Sequence, residues 1–149
     1  ETLRKFLAAE NPERAIVFVN NSTELQNINE KLDYHKVKST GIYGNASKEE
    51  RQRSIEAFRN GKFNVLVSSD VSARGLDIPE VTHIISMDFP ENPDEYLHRA
   101  GRTARGNLSG SSICIGTRRD LEAIKSYQKA FKIKFKEMKL YGGNLIPVK

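Results

Sequence analysis

The run Ala15-Ile16-Val17-Phe18-Val19, closed by Asn20-Asn21-Ser22, decides the fold. All five residues of the run are apolar and three are β-branched, which suits a strand buried on both faces better than one alternating between core and solvent. Asn-Asn-Ser then supplies turn and helix-cap chemistry. From Ser22 or Thr23 onward, Leu25, Ile28 and Leu32 recur at three- and four-residue steps. That spacing predicts an amphipathic helix with Ser22 or Thr23 as its N-cap. A doubly buried strand running straight into a helix opens a βαβ unit, and such units build parallel sheets.

The same alternation continues along the chain. Residues 37–43 read as a weaker strand. Ser47-Lys48-Glu49-Glu50 carries the cap-plus-acid pattern of a helix start, with Ile55 and Phe58 as its apolar stripe and Asn60-Gly61 as its stop. Residues 63–68, 81–87 and 112–115 are further apolar strands, and 94–104 and 118–130 are helical patterns. Strands that are apolar throughout, separated by helices, imply a three-layer α/β sandwich: a mainly parallel sheet of five or six strands with helices on both faces. In such sheets ligands bind beyond the carboxyl ends of the strands, so chemistry is expected just after each one.

A chain of 149 residues, 38% hydrophobic, fits one domain with one core. No apolar run approaches the length of a membrane span and no charged-then-apolar leader is present, so a cytoplasmic protein is expected. Cys114 lies alone between Ile113 and Ile115, which rules out an internal disulfide and reads as a core position. The formal charge is +5 with a pI near 9.4, compatible with a polyanion partner. Residues 118–149 hold nine Lys/Arg against three Asp/Glu, a net of +6 that leaves residues 1–117 near −1. The basic character is therefore a property of the end of the chain, where residues 132–149 read as a basic extension; a solvated helix face with a mobile end fits the same charges.

Two constellations follow strands. After 63–68 comes Ser68-Ser69-Asp70-Val71-Ser72-Ala73-Arg74-Gly75-Leu76-Asp77-Ile78-Pro79, mixing hydroxyls, one Arg, one Gly and two carboxylates. Ser69 could present a hydroxyl to a phosphate, Gly75 permits close backbone approach, and Asp77 could accept from a ribose hydroxyl. Taken singly, each also fits a turn cap or a helix start. The second constellation opens at Asn92-Pro93-Asp94-Glu95, a helix start with cap, proline and acids in place. His98, Arg102 and Arg105 stand at i, i+4 and i+7, with Arg99 beside them. That spacing predicts one cationic face. No acid lies between Glu95 and Arg105, so an external anion such as a triphosphate, or plain solvation of a helix end, must offset the charge.

Tyr96-Leu97-His98-Arg99-Ala100-Gly101-Arg102-Thr103-Ala104-Arg105-Gly106 resembles the last motif of superfamily 2 helicases, and 70–79 resembles the preceding motif in DEAD-box ATP-dependent RNA helicases. Residues 15–20 resemble the strand that opens the second helicase domain, and Ser47-Lys48-Glu49-Glu50-Arg51 with Ile55 and Phe58 resembles its RNA-contacting helix. The resemblance covers about residues 15–117 and implies the C-terminal RecA-like domain. It implies that Arg102 and Arg105 act as arginine fingers on the γ-phosphate, that Asp77 and Gly75 meet the ATP ribose, and that Arg74, His98 and Arg99 couple the site to the partner domain. Phe18 would pack against the arginine stretch. Gly44, Lys48, Arg51, Ser69 and Asp70 would meet the RNA sugar-phosphate backbone. The family usually has Gln at Lys48, Thr at Ser69, His at Tyr43 and Ile, Val or Ser at Ala100. The sequence lacks the glycine-rich loop ending in Gly-Lys-Ser/Thr and the Asp-Glu-Ala-Asp tetrapeptide. ATP with Mg2+ is therefore expected mainly on an N-terminal RecA-like domain of a longer protein, with this fragment monomeric and inactive alone and with no metal ligands of its own. A stand-alone nucleic-acid-binding module or half of a DNA helicase are the alternatives; the first leaves Asp77 and the arginines unexplained, and the 73–79 string favours the RNA branch.

Overall fold

The computed structural model describes residues 1–74, 78, 81–103 and 110–148. Its elements are α1 (Thr2–Glu10), β1 (Ala15–Phe18), α2 (Ser22–Tyr34), β2 (Ser39–Ile42), α3 (Lys48–Arg59), β3 (Val65–Ser68), α4 (Asp70–Ala73), β4 (His83–Ser86), α5 (Pro93–Ala100), β5 (Ser111–Cys114), a 3-10 turn (Arg118–Asp120), α6 (Leu121–Phe131), β6 (Met138–Tyr141) and β7 (Asn144–Pro147). The first five strands form one sheet in the order β2-β3-β1-β4-β5, and every pairing in it is parallel. This is the RecA-like α/β arrangement.

Strand β1 is central, and its unbroken apolar run follows from that place. Ala15, Val17 and Val19 face one layer, against Leu3, Phe6 and Leu7 of α1 and Leu25 and Leu32 of α2. Ile16 and Phe18 face the other, against Ile55 and Phe58 of α3, Leu66 and Ile84. Each such side chain contributes about 1.5–3 kcal/mol on leaving water, so neither layer tolerates a polar residue in β1. Cys114, read from sequence as core, is only half-buried on edge strand β5.

Several local details depart from expectation. The N-cap of α2 is Asn21, whose Oδ1 accepts from the Glu24 amide at 2.9 Å, because an Asn side chain just ahead of the first turn reaches the third amide. Ser47 caps α3 as expected, accepting from the Glu50 amide at 3.1 Å. Helix α5 stops at Ala100, where the Gly101 amide closes onto the Leu97 carbonyl, so the predicted helix over 94–104 is cut short. Two elements went unforeseen. Helix α1 contributes Leu3, Phe6 and Leu7 to the core. The basic end of the chain carries an antiparallel hairpin, β6–β7, turned on Gly142 and Gly143 at φ 59° and 80°; both positive values suit a tight two-residue turn. Leu140 and Leu145 of that hairpin pack against the α1 side of the core. Among the described residues no helix is long and apolar enough to cross a membrane.

Candidate functional site

The carboxyl ends of β1, β3 and β4 bring together Asn20, Asp70 and Asp88, the residues one or two places past each strand. Asn20 ties the ends to one another: its amide donates to Asp88 Oδ2 at 2.6 Å, its Nδ2 donates to Asp70 Oδ2 at 2.9 Å, and its Oδ1 accepts from the Asp70 amide at 2.9 Å. Into this frame α5 inserts Arg99. Nε and one terminal nitrogen grip both Asp70 oxygens at 2.8 and 2.7 Å. The guanidinium also donates to the Asp88 carbonyl at 2.7 Å and to its Oδ1 at 2.8 Å. Its carbon lies 5.1 Å from the Phe18 ring centroid, a cation–π distance. Arg99 is 1% exposed.

Burial works against both charges of this pair. The paired hydrogen bonds and the opposed charges outweigh it, so Asp70 stays below the ordinary carboxylate value and Arg99 above its own. The acids that offset the arginine-rich stretch thus come from other elements, although none lies between Glu95 and Arg105 in sequence. Asp70, expected among the RNA contacts, turns its carboxylate onto Arg99 and Asn20 instead. Arg99, expected with the nucleotide-facing residues, is wholly buried in an ion pair.

Against this clamp lies a pocket of about 200 Å3 lined by Phe18, Arg74, Glu95, His98 and Arg102 together with the Asp70–Arg99 pair. Arg74 reaches Glu95 at 3.4 Å across a mostly exposed pair, a contact worth little in water. Arg102 donates to the Ala73 carbonyl at 3.2 Å. Because α5 ends at Ala100, Arg102 belongs to the turn beyond it. His98 and Arg102 share the pocket through that turn, and the single helical face predicted for them with Arg105 does not extend so far. Arg105, Gly75 and Asp77 lie outside the described residues.

A second group occupies the carboxyl ends of β2 and β3, neighbouring strands in register at Ile42 and Ser68. Gly44 follows β2, and its carbonyl accepts from an Arg51 terminal nitrogen at 3.1 Å. Arg51 Nε is buried with no hydrogen-bond partner, an orphaned donor that a buried site rarely leaves unmatched. Lys48 is exposed in the first turn of α3. Ser69 caps α4, its Oγ accepting from the Ser72 amide at 3.0 Å. Sequence reasoning missed Asn20 and Asp88, although each directly follows a strand whose carboxyl end was already marked as a site of chemistry. Among the described residues no three His, Cys, Asp or Glu side chains converge as a metal site.

Comparison with known proteins agrees with this geometry. The helicase conserved C-terminal domain family matches residues 1–107. The DEAD-box ATP-dependent RNA helicase CshC of Bacillus cereus is 34% identical over 91% of this chain, which spans 35% of that protein's length. The E. coli DEAD-box protein SrmB, solved bound to regulator of ribonuclease activity A, is 32% identical with a TM-score of 0.78, covering 87% of this chain and 76% of that one. Saccharomyces cerevisiae Dbp5, solved bound to RNA and ADP BeF3, is 28% identical with a TM-score of 0.80, covering 89% of this chain and 36% of that one. A buried Arg99 clamp, an arginine-lined pocket at the strand ends and these matches carry one conclusion. The chain belongs to the helicase conserved C-terminal domain family, in its DEAD-box, superfamily 2 branch.

Proposed function

We propose that this domain completes the ATP site of an RNA helicase, presenting Arg102 and Arg105 to the γ-phosphate of a nucleotide gripped by an N-terminal RecA-like domain. The observation that carries the reading is the clamp. With Arg99 locked onto Asp70 and Asp88, the turn that follows holds Arg102 and His98 along an open pocket beyond the strand ends. A guanidinium fixed there stabilises charge that develops in phosphoryl transfer without reorganising at the moment of reaction. Arg74 and His98 face the same opening and would meet the partner domain, Asp77 and Gly75 would meet the ribose, and magnesium and the phosphate-cradling loop would belong to the partner.

RNA in this reading crosses the β2–β3 end of the rim, on the Gly44 backbone, Lys48, Arg51 and Ser69. The partnerless Nε of Arg51 supports a phosphate acceptor there. Such contacts hold a strand without reading its bases. Replacing Arg102 with Ala in the intact helicase should lower RNA-stimulated ATP turnover about a thousandfold or more while RNA binding, measured by anisotropy, changes little. Turnover near that of the parent enzyme refutes the assignment.

A further inference from the structure

At the end of the sheet opposite the carboxyl rim, the chain encloses a cavity of about 470 Å3, larger than the 200 Å3 pocket beside Arg99. Its floor is apolar, drawn from Leu7 of α1, Val37 ahead of β2 and Val65 at the start of β3. Its rim is basic, with Arg4, Lys36 and Lys38, and no acid among the described residues lines it. None of these three cations has a carboxylate partner among the described residues. Beside the rim stand His35 and Tyr34, the latter 82% exposed, their rings meeting edge to face at 5.1 Å.

Lys36 closes α2 in the left-handed region at φ 61°. Its amide donates to the Asp33 carbonyl, and the Val37 amide donates to the Leu32 carbonyl. That is a helix stop where glycine is the favoured residue, and a lysine there costs stability. The fold alone would be served better by glycine, so the charge is retained at some expense to the turn.

Three classes of occupant fit a basic, apolar-floored cavity, and the helices discriminate among them. Both α1 and α2 end here, at Glu10 and Tyr34, so their carbonyl ends place partial negative charge around the cavity. A compact polyphosphate pushed inward would meet those dipoles. Single-stranded RNA follows open basic grooves furnished with stacking platforms, and here the one aromatic pair stands outside the cavity with its rings set against each other. A peptide separates its charges from its apolar groups and suits the layout. We propose that this cavity docks an acidic segment of a partner protein, seating an apolar side chain on Leu7, Val37 and Val65 and carboxylates against Arg4, Lys36 and Lys38. Exposed Tyr and Arg are the residue types that dominate such interfaces. The proposal is independent of the nucleotide reading, since the two sites occupy opposite ends of the sheet.

The test selects a library of random short displayed peptides against the full chain, counter-selected against the double variant Lys36→Gly/Lys38→Gln. Glycine at position 36 relaxes the turn, so the double variant should melt no lower than the parent. Enriched peptides should pair Asp or Glu with a Leu, Ile or Phe, shift the amides of Leu7, Val37 and Asn64 in NMR titration, and bind the double variant roughly tenfold more weakly. The proposal is overturned if no peptide prefers the parent chain, if enriched peptides lack acids, or if tripolyphosphate or single-stranded RNA shifts the same amides at lower concentration than any peptide.

Discussion

Arg99 directs four hydrogen bonds at the side chains of Asp70 and Asp88 and at the Asp88 carbonyl, and its removal would strand two carboxylates at the strand ends. Breaking a buried pair by deleting one partner costs about 3–5 kcal/mol. Asp88 is 36% exposed in its side chain, so Arg99→Ala is expected near the lower end of that range, read as a fall in urea midpoint. An unchanged midpoint would mean that the clamp contributes nothing to the fold. The same pair sets a pH dependence. Asp70 titrates below its ordinary value of 3.8 in the folded chain, so its stabilisation is complete above that value and is lost as pH falls through the lower folded one. Acid unfolding should therefore be steeper in the parent than in Asp70→Asn, and equal slopes would contradict the linkage. The arginine-rich stretch itself was legible in sequence, whereas its counter-charges were not. Asp70 and Asp88 stand 29 and 11 residues from Arg99, and helical spacing reports only neighbours three or four apart.

The elements of the sheet were legible for a definite reason. Strands buried on both faces leave unbroken apolar runs, and β1 and β3 are buried at every position. Helix α1 offers only three buried positions, Leu3, Phe6 and Leu7, too few to stand out as a period. The hairpin hid behind its lysines, since half-buried Leu140, Leu145 and Ile146 alternate with exposed residues on a surface that covers only one side of the core. Between β5 and α6 the chain is equally specific. The Thr117 amide donates to Asp120 Oδ2 at 2.7 Å in a reciprocal cap, and Gly116 precedes it. A methyl group at position 116 would fall 2.5 Å from Phe89 Cε2 and against the capping carboxylate. Gly116→Ala should cost about 1–3 kcal/mol by overpacking, seen as a lower melting temperature. A neutral result would show that Phe89 and Asp120 yield freely.

On the scale of the whole molecule, the hairpin closes the layer that α1 opens. Leu140 and Leu145 cover the side of the core built from Leu3, Phe6 and Leu7. Deleting residues 137–149 should remove about 2 kcal/mol, a fall of roughly 5 °C in melting temperature by calorimetry. An unshifted transition would mean that the hairpin rests on the domain without supporting it.

The central place of β1 also bears on how the chain is born. Its two neighbours pair through Val65 and His83, about 50 and 68 positions after Ala15. At synthesis speeds of 5–20 residues per second, the stickiest stretch of the polypeptide leaves the ribosome several seconds before either partner exists. Glu13 and Arg14 on one side and Asn20 and Asn21 on the other are the gatekeepers that must keep the nascent strand from pairing with a stranger.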